Sequence, residues 1–96
     1  MSDEAYTLSL APPMRRTLAE GPPRGLPLAV AAAVTAFLTG SLLDNPARVG
    51  KPLTRELAGY HCARRGAYRV VYRIEEPAPV VHVVRVDHRA DIYHMR

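Results

Sequence analysis

The 96-residue chain lacks the features that mark a secreted or membrane protein. Its one cysteine, Cys62, cannot form an intramolecular disulfide, and a single thiol does not make a structural zinc site. The main apolar stretch, residues 26–38, has thirteen residues, fewer than the roughly 20 that a membrane-spanning helix needs. The first five residues carry Asp3 and Glu4, where a signal peptide is basic. We therefore expect a cytoplasmic protein.

Motifs of several enzyme classes are also missing. There is no glycine-rich phosphate loop, no nucleophile elbow and no close pair of carboxylates in a helical frame, and "GKPL" holds only one Gly-Lys. The histidines do not have the compact spacing of metal ligands; they are His61, His82, His88 and His94. The sequence therefore predicts no metal site and no cofactor.

Lysine is nearly absent, and the positive charge comes from twelve arginines and one lysine. Residues 1–50 carry four basic and four acidic side chains, whereas residues 51–96 carry nine basic and five acidic ones, so the net charge of +4 lies in the second half. This excess indicates a polyanionic partner, either nucleic acid or an acidic protein. A GC-rich coding bias would also explain the ratio of arginine to lysine, although not the clustering of the arginines.

The length is sufficient for one domain with a single core, so residues 1–96 are taken as one domain. Alternation of apolar and polar residues predicts four strands, at 5–10, 57–64, 67–75 and 80–88. Helical spacing predicts two helices, at 12–19 and 26–39, with Gly40 ending the second. Residues 42–53 have the composition of a loop, and the short links between the last three strands favour antiparallel hairpins.

The stretch "ARRGAYRVVYRI", residues 63–74, combines a strand pattern with four arginines. Alternation places Tyr68, Val70, Tyr72 and Ile74 on one face and the intervening residues on the other. We expect one face of the sheet to pack on the helices. The opposite face would gather four arginines, Arg69, Arg73, Arg85 and Arg89. Arginine suits phosphate, because its planar guanidinium donates paired hydrogen bonds and keeps its charge at any working pH.

The C-terminal segment "DHRADIYHMR" supplies groups that titrate or donate protons. His88 and His94 titrate near neutral pH, Tyr93 has a phenol, and Arg89 and Arg96 are cationic. Such a set can cut RNA without metal, which requires a base for the ribose 2′-hydroxyl, cations for the phosphate and an acid for the leaving oxygen. The alternative is that this segment merely packs against the core, with the histidines exposed.

Three stretches together resemble a known family: "NPARVGKPLTREL", "GYHCARRGAYRVVYRI" and "VVHVVRVDHRADIY". They resemble the RelE toxins of bacterial type II toxin–antitoxin systems, in the RelE/ParE superfamily, over residues 5–93. The resemblance implies an α+β fold of the RelE/ParE type, with an antiparallel four-stranded sheet and two N-terminal helices packed on one face. It also implies a toxin bound by a RelB-like antitoxin in a hetero-oligomer.

The same resemblance implies a ribosome-dependent mRNA endonuclease that inhibits translation by metal-independent attack of a 2′-hydroxyl on the adjacent phosphate. The residues that match catalytic positions, or supply groups for them, are Arg69, His88, Arg89 and Tyr93. The residues expected to bind RNA are Lys51, Arg55, Arg64, Arg65, Arg73 and Arg85.

The chain departs from the family pattern where RelE proteins carry lysines on the second strand of the sheet. The corresponding residues here, 60–63, read Tyr-His-Cys-Ala, and arginine is too weak a base to replace lysine. The proton acceptor would then be supplied by the ribosome or by one of four residues, with His88 ranked first: His61, His88, His94 or Tyr93. Two other functions stay open, a ParE-like toxin that poisons DNA gyrase and a weakened toxin that acts mainly in an antitoxin-bound repressor complex.

Overall fold

The computed structural model describes residues 6–19, 26–66 and 68–88, with only the main chain of His88. Its helices are α1 (Pro12–Ala19), α2 (Leu28–Thr39) and two single turns, α3 (Ser41–Asp44) and α4 (Pro46–Val49). Its strands are β1 (Thr7–Leu10), β2 (Lys51–Pro52), β3 (Tyr60–Arg65), β4 (Tyr68–Glu75) and β5 (Val80–His88). A 3₁₀ turn, Arg55–Leu57, links β2 to β3. No helix within the described ranges is long and apolar enough to cross a membrane.

The strands form one mixed sheet in the order β1-β5-β4-β3-β2. β1 runs parallel to β5, with Leu8 opposite Val81, and the other neighbours are antiparallel. The α+β class is confirmed, but the prediction of a four-stranded antiparallel sheet was wrong in two respects. It missed β2, which is too short to show alternation, and it missed the parallel pairing of β1, which periodicity within a single strand does not reveal.

The two long helices lie where apolar spacing placed them. α1 has the predicted bounds, and α2 begins at Leu28, two residues late, because Pro27 is extended at φ −55° and ψ 149°. The predicted loop at 42–53 contains most of α3, together with α4 and β2, elements of two to four residues that carry no periodic signal. The predicted strand at 57–64 begins later, at Tyr60, since residue 57 ends the 3₁₀ turn.

The core lies between the helices and one face of the sheet. Val70 and Tyr72 of β4 are fully buried, as are Val81 and Val83 of β5. The helical segments contribute Met14, Ala31, Val34, Phe37, Leu38 and Leu42. The expected separation of the two faces of β4 is therefore confirmed.

A β-bulge in β5 determines which side chains join that core. Val71 pairs with Arg85 and Tyr72 pairs with Val83, so Val84 has no partner on β4. Uninterrupted alternation would put Arg85 on the same face as the buried valines at 81 and 83. The extra residue reverses the alternation, so Arg85 turns to the opposite face. The grouping of Arg85 with Arg69 and Arg73 thus depends on the bulge.

Tyr72 joins the sheet to the segment that follows the helices. Its hydroxyl donates a hydrogen bond of 2.6 Å to the carbonyl oxygen of Pro46, and burial raises its pKa to about 12. Gly50 lies against the same hydroxyl, and a Cβ at Gly50 would also lie 2.9 Å from the carbonyl oxygen of Cys62. Only a residue without a side chain fits there, because one of these contacts is with rigid main chain.

Replacing Gly50 with alanine should therefore destabilise the fold, by about 1–3 kcal/mol of unfolding free energy. In the Tyr72→Phe background the same replacement should cost less, because the hydroxyl that the new methyl group meets is gone. Urea unfolding of the four proteins in this double-mutant cycle measures the difference. Equal costs in the two backgrounds would show that the two residues do not interact.

Candidate functional site

The face of the sheet that the helices leave uncovered, called the open face below, carries most of the charged side chains of the strands. Cα pairing across the strands aligns its side chains in rows. From one end of the face to the other the rows are Arg64, Arg69 and Asp87; Lys51, Cys62, Val71 and Arg85; Tyr60, Arg73, His82 and Ser9; and Glu75, Val80 and Thr7. The pleat therefore brings residues from all five strands to one surface.

Three arginines and one carboxylate lie at the first end of the open face; we call Arg64, Arg69, Arg85 and Asp87 the arginine cluster. The Nε atom of Arg85 lies 2.9 Å from Oδ1 of Asp87, and an Nη atom of Arg69 lies 3.6 Å from Oδ2. The Arg69 side chain is 39% exposed and that of Asp87 only 21%. Asp87 thus holds two guanidinium groups near each other while leaving both accessible, an arrangement that favours binding of a phosphate.

A second group of different character lies at the other end; we call Tyr60, Arg73, Glu75 and His82 the mixed cluster. Nε2 of His82 lies 2.6 Å from Oε1 of Glu75, and Arg73 is the β4 partner of both Tyr60 and His82. The hydrogen bond from His82 lowers the pKa of Glu75, and the positive charges of His82 and Arg73 act in the same direction. Arg73 is four residues further along β4 than Arg69, a distance of about 13 Å.

Five of the residues expected to bind RNA or catalyse lie together on the open face: Lys51, Arg64, Arg69, Arg73 and Arg85. They include the only lysine of the chain, which β2 places opposite Cys62. The free thiol of Cys62 is half-buried between Lys51 and Val71. The structure therefore adds Lys51 and Arg64 to the arginine-lined face that the alternation predicted.

Three other candidates lie elsewhere. Arg65 points to the helix side, where its guanidinium carbon is 4.6 Å from the centroid of the Phe37 ring, because alternation after Arg64 turns it away from the open face. His61, a candidate base, also lies on the helix side, stacked on Tyr72 at 5.6 Å with its Nδ1 buried. Arg55 is exposed in the 3₁₀ turn, at φ 59°.

The remaining predicted residues belong to the C-terminal end. The main chain of His88 pairs with Tyr68 at the end of β5. The His88 side chain and the other three residues lie outside the described part of the chain: Arg89, Tyr93 and His94. Their roles therefore stay predictions.

Two sets of contacts on the open face were not predicted: the pairing of His82 with Glu75, and that of Asp87 with Arg69 and Arg85. Both pairs join residues on the open face, and neither has a spacing that marks a motif. The first was accessible from the hairpin: pairing residues 75 and 80 across the "EEPAP" turn puts His82 diagonally across from Glu75. The second was also within reach, because Asp87 is two residues from Arg85 along β5 and shares the face on which the alternation had grouped Arg85 with Arg69.

Comparison with known proteins identifies the family. The family model described as the ParE toxin of type II toxin–antitoxin system, parDE, matches residues 24–93. Toxin RelG of Mycobacterium tuberculosis is 51% identical over 88 residues, which cover 92% of this chain and 95% of that protein. The chain belongs to the RelE/ParE superfamily of toxins from type II toxin–antitoxin systems.

Two further relatives agree with this assignment. Toxin RelE of the same bacterium is 47% identical over 70 residues, 73% of this chain and 72% of that one. In the crystal structure of the M. tuberculosis toxin–antitoxin complex RelBE2, the matching chain is 46% identical with a TM-score of 0.80, covering 90% of this chain and all of that one. The RelE/ParE-like fold expected from the sequence motifs is therefore confirmed.

Neutralising Asp87 should strengthen the attraction of the open face for polyanions. Asp87→Asn and Asp44→Asn raise the net charge equally, but Asp44 is exposed on α3, away from the open face. We expect Asp87→Asn alone to bind a single-stranded RNA oligonucleotide more tightly and to increase the slope of log K against log salt by up to about 0.7. Fluorescence anisotropy at several salt concentrations measures both quantities. An equal increase in RNA affinity in the two variants would mean that affinity depends only on the net charge of the protein.

Proposed function

We propose that this toxin is a ribosome-dependent mRNA endonuclease that stops translation. The observation that carries the proposal is the arginine cluster, in which Arg69 stays accessible on the open face while Asp87 holds it beside Arg85. The RelE-type relatives at about 50% identity support the same activity, since RelE toxins as a family cut mRNA on the ribosome.

The proposed reaction needs no metal. A base removes the proton of a ribose 2′-hydroxyl, the 2′-oxygen attacks the adjacent phosphorus, and the bond to the 5′-oxygen of the next nucleotide breaks as an acid protonates that oxygen. The products are a 2′,3′-cyclic phosphate and a free 5′-hydroxyl. Arg69 would hold the non-bridging oxygens, whose negative charge grows in the transition state.

The other roles follow from position and from the family resemblance. His88 is the first choice for the base and Tyr93 for the acid, with Arg89 as a second cation at the phosphate. Lys51, Arg64 and Arg85 lie beside Arg69 on the same face and would bind the neighbouring phosphates.

An antitoxin partner is part of the proposal. The M. tuberculosis relative at 46% identity is a toxin in a toxin–antitoxin complex. We propose that a RelB-like protein binds this chain in the same manner, forming a hetero-oligomer, and that acidic side chains of that protein meet the basic open face. Occupying this face would block the approach of mRNA, which accounts for inhibition without any change in the toxin fold.

A second candidate function is poisoning of DNA gyrase. It is favoured by the matching family model, which is named for ParE. Since one fold can serve both activities, the sheet topology does not decide between them. The two toxins differ in their cellular damage, because an endonuclease cuts translated mRNA while a gyrase poison breaks DNA.

Primer extension on a translated mRNA, after expression of the toxin without antitoxin, tests the proposal. The wild type should leave new 5′ ends within the coding region, and Arg69→Ala should reduce them about 10²–10³-fold, the cost of losing one group that stabilises transition-state charge. Arg48→Ala, which removes an exposed arginine on α4, is the matched control and should cut normally.

Three outcomes would contradict parts of the proposal. Full cleavage by the double variant Arg69→Ala, Arg89→Ala would remove the site assignment. Broken DNA with intact mRNA would show a gyrase poison. Normal growth and intact mRNA would indicate a weakened toxin that serves in a repressor complex.

A further inference from the structure

The mixed cluster contains a group that phosphate binding does not explain. Glu75 is exposed over 46% of its side chain and lies on a face whose other charged side chains, apart from Asp87, are arginine and lysine. A carboxylate repels the RNA backbone, so Glu75 does not serve the electrostatic attraction that the arginine cluster supplies. Its hydrogen bond of 2.6 Å to His82 holds the carboxylate in one position.

The four side chains of the mixed cluster offer what a nucleobase needs. The carboxylate of Glu75 accepts hydrogen bonds, and the guanidinium of Arg73 donates them. The rings of Tyr60 and His82 lie on the same face, on strands either side of Arg73, and aromatic faces stack on unpaired bases. These side chains lie in two neighbouring rows of the open face. Together they provide a hydrogen-bond acceptor, a hydrogen-bond donor and stacking surfaces, which suit the edge and face of a base better than a phosphate.

The position of the cluster separates it from the proposed cleavage centre. Arg73 is about 13 Å from Arg69 along β4, and their side chains point to the same face. This spacing exceeds one nucleotide of extended RNA, so a base held at Arg73 belongs to a nucleotide beyond the one whose phosphate meets Arg69. The intervening row has Cys62 and Val71 at its middle and the cationic Lys51 and Arg85 at its two ends, so a strand that passes over the middle lies between two positive charges.

We propose that Tyr60, Arg73, Glu75 and His82 form a binding site for one base of the mRNA, and that the base is guanine. Guanine presents N1–H and an exocyclic amine to a carboxylate, and O6 and N7 to an arginine, whereas uracil has no exocyclic amine. Glu75 makes the discriminating contact, and His82 is a positioning residue that fixes the carboxylate. This inference rests on the proposed cleavage of mRNA, for which the site would set the preferred sequence.

Binding of mononucleotides to the free toxin tests the site without cleavage. In NMR titrations with 5′-GMP and 5′-UMP, which share the phosphate, GMP alone should shift the ring signals of Tyr60 and His82. Glu75→Gln should abolish this difference, and Glu56→Gln, an exposed acidic residue in the 3₁₀ turn, should keep it. Equal shifts by GMP and UMP, or GMP shifts that survive in Glu75→Gln, would overturn the site.

Sequencing of the cut ends from a translated mRNA pool gives the second readout. The wild type should favour guanine at one position near the cut, and Glu75→Gln should lower that preference about 5- to 100-fold, the discrimination expected of one good base contact. An unchanged preference profile in Glu75→Gln would refute the proposal. If GMP binds as expected while no mRNA is cut, the base site stands and the proposed endonuclease fails.

Discussion

One extra residue in β5, Val84, allows one face of the sheet to pack on the core while the other face carries charged side chains. Val84 has no partner on β4, and the alternation of core-facing and outward-facing side chains is reversed after it. Before it, Val81 and Val83 are buried; after it, Arg85 and Asp87 face away from the core. A regular strand with this sequence would bury an arginine or expose the valines, and both are costly.

Once the two faces are separated, two acidic residues divide the basic surface into parts. Asp87 draws Arg69 and Arg85 together, and Glu75 is held by His82 beside Arg73. The first group remains rich in positive charge, while the second has donors and acceptors in balance. A basic face without these carboxylates would attract any polyanion. Here the first region has the positive charge that the proposed phosphate binding requires, and the second has the donors and acceptors that the proposed base site requires.

Features that depend on neighbouring residues of one strand were predicted from the sequence, and features that depend on pairing between strands were harder to predict. The alternation in β4 is local and regular, so the faces of Arg69 and Arg73 follow from the sequence alone. Arg85 was expected on the same face and lies there, but the sequence did not reveal the bulge that separates it from the buried Val81 and Val83. β2 was not predicted, because two residues are too few to show alternation. The parallel pairing of β1 with β5 was not predicted either, because periodicity within one strand does not show its direction relative to another.

Arg65 shows the same limit within the candidate site. It is adjacent to Arg64 and was grouped with it by charge, yet a single step along a strand reverses the side chain, and Arg65 lies over Phe37 on the helix side. The His82 and Glu75 pair was within reach, since a hairpin turn fixes which residues meet. Charge patterns thus locate a basic region, and strand register decides which residues of it share a surface.

Urea unfolding of proteins that lack one residue of β5 tests most directly whether Val84 is the extra residue. Deleting Val84 joins Val83 to Arg85, so regular alternation keeps Val83 in the core and Arg85 on the open face, and the unfolding free energy should stay within about 1 kcal/mol of wild type. Deleting Val86, the β5 partner of the buried Val70, instead shifts Asp87 to the core-facing position and should lower the unfolding free energy by at least about 3 kcal/mol, or abolish the cooperative transition. A Val84 deletion as damaging as the Val86 deletion would contradict the account.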